Sequence, residues 1–288
     1  MSTPLQVRRR PDRCPGVLRP WPADDGALVR IRLVGGRLPV PALAGLAAVA
    51  DRFGDGEVHL TGRANLQLRA LPTTDGALPG EVVDAIEAAG LLPSRTHELA
   101  RNVMVSPQTG LAGGRSDLRP VAGELDRLLC GEPRLAGLPG RFLFTLDDGR
   151  GDIAGRDTDL GLVALDHDSV QLRVGSAGWG PTLSVAEAPA AMVALALNFL
   201  DARGDGDGAA WHVDELPAPF GPWVAPDPRT RVSAEPLPHG PVPGGDHVAA
   251  AAGVLGPELL ARLTRDPVRV LVVTPWRGVL VPDTEERA

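Results

Sequence analysis

The chain has no lysine and no tyrosine, and only two of its 288 residues are cysteine. Cys14 and Cys130 are too few for a disulfide framework, and neither belongs to a C-x-x-C metal-ligand pair. One copy of the chain cannot supply the four thiolates of an iron–sulfur cluster. Aromatic residues make up only 3% of the sequence. No apolar run approaches the roughly 18 residues of a membrane span. Arg8, Arg9 and Arg10 are followed by no apolar stretch, so no secretory leader is expected and the reading is a cytoplasmic protein. Net charge is −7 and the pI is about 5.4, which excludes a broad cationic footprint for nucleic acid or an anionic membrane. All 29 basic residues are arginine. An arginine-biased coding composition explains that as well as a functional preference does, so local clusters must be judged as sites.

What remains is an ordinary globular balance, 43% apolar and 23% charged, long enough to fill a real core. The stretch Val58, His59, Leu60, Thr61, Gly62, Arg63, Ala64, Asn65, Leu66, Gln67, Leu68, Arg69 alternates throughout. It is read as one strand, bending near Gly62, with His59, Thr61, Arg63, Asn65, Gln67 and Arg69 on one face. That face holds no carboxylate. Guanidinium and carboxamide groups suit a flat anion bearing several carboxylates, because guanidinium binds carboxylate through paired planar donors. A merely solvated strand face is the alternative reading of the same pattern.

In chain order, residues 1–25 read as an irregular arm rich in Pro and Arg. A strand follows over 27–33, with Arg30 and Arg32 sharing the face opposite Val29 and Ile31. A helix is expected over 41–53, where Pro41 fits the first turn, and a second over 79–89, closed by Gly90. Short strands are expected at 101–107 and 141–146 around a helix within 116–130. A hairpin joins 161–165 to 170–174. Gly175, Gly178 and Gly180 precede a long apolar helix over 184–202; a glycine-rich loop there can present N–H groups to an anion, or be a plain turn. Residues 217–245 read as a Pro/Gly linker or extended wrap. A helix over 248–263, with a break suggested by Gly253, Gly256 and Pro257, and strands at 268–273 and 279–281 end the pattern. His97 and His167 read as surface groups, His212 as a packing residue, and Asp147 and Asp148 as turn formers. No Ser-His-Asp set or catalytic carboxylate pair stands out by spacing.

Two places repeat each other. A helix leads into the strand before Thr61 and Arg63, and another leads into the strand before Thr274 and Arg277. Both read helix, strand, Thr, turn, Arg, strand, with the Arg displaced by one position. A pseudo-twofold pair of half-modules flanking a central domain is expected.

Four segments now carry a likeness. They are Leu28 to Gly36, Leu60 to Leu68, Ala100 to Val103 and Leu138 to Phe142, in that order. Together they resemble the sulfite and nitrite reductase haemoprotein superfamily. Arg141 to Gly149 and Thr274-Pro275-Trp276-Arg277-Gly278 look most like its precorrin-3B synthase branch. The resemblance implies an α+β fold, with duplicated ferredoxin-like half-modules at 26–92 and 246–288. It places a central α/β domain at 93–216, an arm at 1–25 and a linker at 217–245. It implies that Arg32, Arg63, Gln67, Arg69, Arg101 and Arg141 contact a tetrapyrrole, either sirohaem-like or a precorrin substrate. Leu143 stands where the reductases carry a second cation, and His59 where they carry Arg. The first of these fits the precorrin branch better than sulfite or nitrite reduction. Family members continue into a domain that holds a [4Fe–4S] cluster on four cysteines, and Cys14 and Cys130 match none of those ligands. A separate iron–sulfur subunit or electron donor is the expected partner. The implied activity is a cobalamin-pathway oxidoreductase, oxidising a precorrin with O2 and forming a ring lactone. The alternative is a non-catalytic tetrapyrrole carrier derived from that family. No protein metal ligands, nucleic acid or membrane are expected.

Overall fold

A computed structural model describes residues 12, 14–217, 220–221, 223–265 and 269–283. The expected start of the arm, most of 1–13, and residues 266–268, where the last expected helix leads into the strand at 268–273, lie outside the described residues. The first unit contains β1 (Trp21–Ala23), β2 (Gly26–Ile31), β3 (Arg37–Pro39), α1 (Val40–Phe53), β4 (Val58–Leu60), β5 (Leu66–Leu71) and α2 (Gly80–Ala88). The central unit contains β6 (Val103–Val105), α3 (Arg119–Gly131), β7 (Phe144–Asp147), β8 (Leu160–Ala164), β9 (Ser169–Val174), β10 (Gly178–Ser184) and α4 (Ala188–Ala202). The last unit contains β11 (Gly240–Val242), β12 (Gly245–Ala249), β13 (Val254–Leu255), α5 (Pro257–Arg265), β14 (Val270–Val273) and β15 (Gly278–Pro282). No helix among the described residues is long and apolar enough to cross a membrane.

Among the described residues the strands form three five-stranded sheets, with orders β1-β2-β5-β4-β13, β10-β9-β8-β7-β6 and β11-β12-β15-β14-β3. The duplication is therefore an exchange. β3 leaves the first unit to pair with β14, and β13 leaves the last unit to pair with β4. Each exchanged strand is launched by a tight turn with left-handed residues, Gly35 and Gly36 in one copy and Ala252 and Gly253 in the other. Gly36 has a second constraint: a Cβ there would run into the carbonyl oxygen of Val273. Leu43, Leu46, Val49 and Ala50 give α1 a buried stripe at helical spacing. Those side chains meet Ile31, Leu66, Leu255, Leu260, Leu271 and Val279 in one core, so the two half-modules fold as a single body. The central sheet buries a separate core against α3 and α4.

The stretch 58–69 is not one strand but a hairpin, β4 and β5, closed at residues 61–65. Thr61 N–H donates to the Asn65 carbonyl at 2.9 Å, and Ala64 N–H to the Thr61 carbonyl at 3.1 Å. The registers His59↔Gln67 and Leu60↔Leu66 pair odd with odd and even with even. Alternation thus passes through the turn unbroken, and polar–apolar pattern alone does not separate the hairpin from a longer strand. The turn at Thr274 repeats the construction. In each, the Thr Oγ1 accepts the N–H of the residue four positions on, at 3.1 Å from Asn65 and 3.3 Å from Gly278. The residue before that one is left-handed, Ala64 in the first copy and Arg277 in the second.

Residues 248–263 are not one helix either. β12, a short 3₁₀ turn and β13 use the chain as far as Leu255, and α5 follows Gly256. The glycines at 175, 178 and 180 shape the β9–β10 hairpin, and α4 starts only at Ala188. Part of 217–245 is an extended wrap on the central sheet. Val224 N–H donates to the Trp179 carbonyl at 2.8 Å, and Asp227 N–H to the Gln171 side chain at 2.7 Å.

Candidate functional site

The first sheet has one apolar and one polar face. Val29, Ile31, Val58, Leu60, Leu66 and Leu68 are buried on the helix side. On the other face, Val254, His59, Gln67 and Arg30 stand in one row across β13, β4, β5 and β2, because paired antiparallel residues project to the same side. This face looks onto the turns at the edge of the central sheet.

Two guanidinium groups reach across. Arg32, just past β2, donates from Nη2 to the Gly140 carbonyl at 3.0 Å and from Nη1 to the Pro15 carbonyl at 3.3 Å. Arg63, in the β4–β5 turn, donates from Nη1 to the Arg141 carbonyl at 2.8 Å. The half-module therefore grips consecutive carbonyls of the 139–142 turn. Two buried asparagines complete the junction. Asn65 accepts the Leu33 N–H at 2.9 Å and donates to Asn102 at 3.0 Å, and Asn102 donates to the Phe142 carbonyl at 3.2 Å. Asn65, expected on the polar face, is thus a structural clamp. Burial pushes the Arg32 pKa down to about 10, with the Arg30 charge adding to the effect. Burial likewise lowers that of Arg63, with the Arg141 and Arg30 charges adding repulsion. Among the described residues, the guanidinium groups of Arg30 and Arg141 have no hydrogen-bond or ion-pair partner.

The buried side-chain N and O atoms without a partner among the described residues are Arg30 Nε, Arg32 Nε and His212 Nε2. The first two are donors by chemistry. His212 Nδ1 accepts the Asp214 N–H at 3.1 Å, which assigns the ring proton to Nε2 and makes the third a donor also. That nitrogen lies 3.3 Å from the Asp157 carboxylate and 3.7 Å from that of Asp159, bonded to neither. Asp159 is only 1% exposed. Its carboxylate accepts the N–H groups of Leu143 at 2.8 Å and Val213 at 3.0 Å, two residues along the chain from the carbonyl that Arg63 holds.

Of the six site residues expected from sequence, Arg32, Arg63 and Arg141 come together around the 139–142 turn, and Gln67 stands beside Arg30 on the facing sheet. Arg69 is held by Asp25, with contacts of 2.9 and 3.0 Å. Arg101 forms a two-pronged pair with Asp126 of α3 at 2.6 and 2.8 Å. Arg101 and Arg32 nonetheless line one cavity of about 280 Å³ beside α3. Cys14 lies in the strap that packs on Gly140, while Cys130 lies on α3 beside Asp126. Two thiols on separate elements do not fit a [4Fe–4S] cluster.

Sequence reasoning did not single out Asp159, and it read His212 as packing. Nothing local marks either one, since their character comes from burial and from each other. Arg30 was seen as face-sharing but not as a site. His97 proved buried rather than superficial, its Nε2 lying 3.0 Å from the Glu132 carbonyl, whereas His167 is exposed. Asp147 forms its turn as expected, accepting the N–H groups of Gly149 and Gly151, both at 2.9 Å.

Asp152, close to Asp147, is another acid the sequence did not mark. Burial pushes its pKa up to about 7, Asp147 adding repulsion and the Ser106 hydroxyl, donating at 2.7 Å, opposing the rise. The folded state therefore binds this proton more tightly than the unfolded chain does. The associated stability is present in acid and is lost as pH rises from about 4 to 7. Thermal melts should accordingly show Asp152→Asn gaining on wild type across that window, by a few degrees at its upper end. Parallel melting curves for the two proteins would reject the assignment.

The matches to known proteins follow this geometry. The family model described as Nitrite/Sulfite reductase ferredoxin-like half domain matches residues 22–76, the segment from β1 through β5 and its following loop. A Precorrin-3B synthase from Sinorhizobium sp is 34% identical over 117 residues, which is 40% of this chain and 24% of that protein. The solved structure of Mycobacterium tuberculosis NirA protein superposes with a TM-score of 0.69 at 20% identity, over 94% of this chain and 60% of that one. The structural likeness establishes the fold: paired ferredoxin-like half-modules and a central α/β unit. The chain spans less than two thirds of the length of either relative.

Proposed function

We propose that this chain, a precorrin-3B synthase-like protein of the nitrite/sulfite reductase superfamily, binds a carboxylate-rimmed tetrapyrrole on the face formed by Arg30, Arg32, Arg63 and Arg141. The binding would serve an oxidoreductase reaction of cobalamin synthesis. One observation carries the reading. Two of the three buried side-chain atoms without a hydrogen-bond partner among the described residues, Arg30 Nε and Arg32 Nε, are guanidinium N–H donors at this face. Donors buried without acceptors are costly, by about 1–3 kcal/mol each. An anion bearing several carboxylates supplies the missing acceptors, and the unpaired guanidinium groups of Arg30 and Arg141 supply the charge.

In this reading the chain's residues bind and orient. Arg30 and Arg141 take ligand carboxylates from opposite sides of the junction. Arg32 and Arg63 keep the two sides at fixed separation through the 139–142 carbonyls. Leu143 is buried with Met104 and Ile153 and adds no charge to this face. Oxygen chemistry needs a bound metal or another redox group, which would supply the electrons. A carrier without turnover is the second reading, since the arginine face would bind the ligand in either case.

Titration with uroporphyrin, whose rim is carboxylate-rich, tests the reading. Micromolar binding that weakens with added salt is expected, with none for a porphyrin of alkyl rim. Equal binding of both, or of neither, would remove it. Product formation from a precorrin with reductant and a partner fraction would favour the enzyme over the carrier.

A further inference from the structure

Asp159 is a buried carboxylate placed directly behind the candidate anion face, and the proposed binding does not use it. The groups around it come from every neighbouring element. Leu143 N–H approaches from the strand entering β7. Val213 N–H and the His212 ring come from the 3₁₀ turn at Val213–Glu215. Asp157, largely exposed, lies on the same loop as Asp159, and Asp214 addresses the far side of the imidazole. Arg63 contributes the positive charge from the facing half-module. In the free protein, Asp159 and Arg63 act as partial counter-ions across the backbone of residues 141–143.

We propose that Asp159 takes up a proton when a polycarboxylate ligand docks on the Arg63–Arg141 face, making binding there proton-coupled. This rests on the reading of the face as a tetrapyrrole-carboxylate site. The physical reason is charge replacement. A ligand carboxylate held by Arg141, whose charge acts on Arg63, takes over part of the compensation of the Arg63 guanidinium. Asp159 is then left as a second negative charge beside it, at 1% exposure, where solvent screens little. Protonation is the least costly relief: one proton moves from solvent to the carboxylate, giving a neutral carboxylic acid, and no other bond changes. The group is close to that change already. Burial holds its pKa up at about 6, against His212, the two backbone N–H donors and Arg63, all of which favour the anion. The His212 Nε2–H, aimed between Asp157 and Asp159, settles on Asp157 once Asp159 is neutral.

The test is calorimetric titration of the full chain with uroporphyrin near pH 7, in buffers of differing ionisation enthalpy. Wild type should take up roughly half to one proton per ligand bound, and its affinity should fall toward tenfold per unit as pH rises above neutrality. Asp159→Asn should still bind, with uptake reduced to the ligand's own small contribution. His212→Gln, which keeps a donor at the same place, should retain the uptake. A measurement on wild type alone covers failure of Asp159→Asn to fold. With ¹³C-labelled aspartate, ligand addition should generate an isotope-shifted carboxylic-acid carbonyl band in the infrared. Binding with neither proton uptake nor that band would overturn the proton coupling while leaving the ligand site intact. Absence of uroporphyrin binding to wild type would overturn the ligand reading and the coupling with it.

Discussion

Arg30→Ala lowers the affinity for uroporphyrin by about 10- to 100-fold and leaves the melting temperature within about 2 °C of wild type. The asymmetry follows from what Arg30 touches. Its guanidinium has no partner among the described residues, and its Nε is buried without an acceptor. Removing it breaks no internal bond and relieves repulsion toward Arg32 and Arg63. What it loses is a charge-assisted contact to a ligand, worth about 1.5–3 kcal/mol. Arg32→Ala should behave differently. It deletes the bonds to the Pro15 and Gly140 carbonyls, so affinity and stability should fall together. Binding isotherms and melts on the two variants separate a ligand-facing arginine from a structural one. Unchanged affinity in Arg30→Ala would place the ligand elsewhere.

Asn102→Leu costs about 3–5 kcal/mol of folding stability, a fall in melting temperature on the order of 6–15 °C. Asn102 is 2% exposed and serves both sides of the junction. Its Oδ1 accepts from Asn65 and its Nδ2 donates to the Phe142 carbonyl. Leucine has the same branching and side-chain heavy-atom count and is bulkier, so the change opens no cavity. It strands the Asn65 amide and the Phe142 carbonyl in a site water does not reach. Because Asn65 also anchors the Leu33 N–H next to Arg32, the loosening should reach the candidate site, and uroporphyrin affinity should drop as well. A melt within about 2 °C of wild type would show that the asparagine pair does not hold the junction.

Where the sequence reading succeeded, it relied on local periodicity. The stripe of Leu43, Leu46 and Ala50 forecast α1, and alternation over 161–165 and 170–174 forecast the β8–β9 hairpin. The repeat of Thr, turn and Arg forecast the duplicated half-modules. It failed where two arrangements share a pattern. Alternation across 58–69 is the same for one strand and for a hairpin whose turn preserves parity. Apolar spacing over 248–263 did not reveal that Val254 and Leu255 leave their own unit to edge the other sheet, because the reason lies in the partner strand β4.

For the candidate site the division is similar. The sequence by itself determined that this is an acidic, lysine-free, two-cysteine α+β chain with arginines on one polar strand face. Chemistry of side chains and their alternation along a strand are local properties. Only the tertiary structure decided which arginines remain available. Arg69 and Arg101 are neutralised by Asp25 and Asp126, from a neighbouring turn and a distant helix, while Arg30 and Arg141 are not. It also decided that Asp159 and His212 matter, since burial beside Arg63 is a property of three segments meeting and none of them encodes it alone.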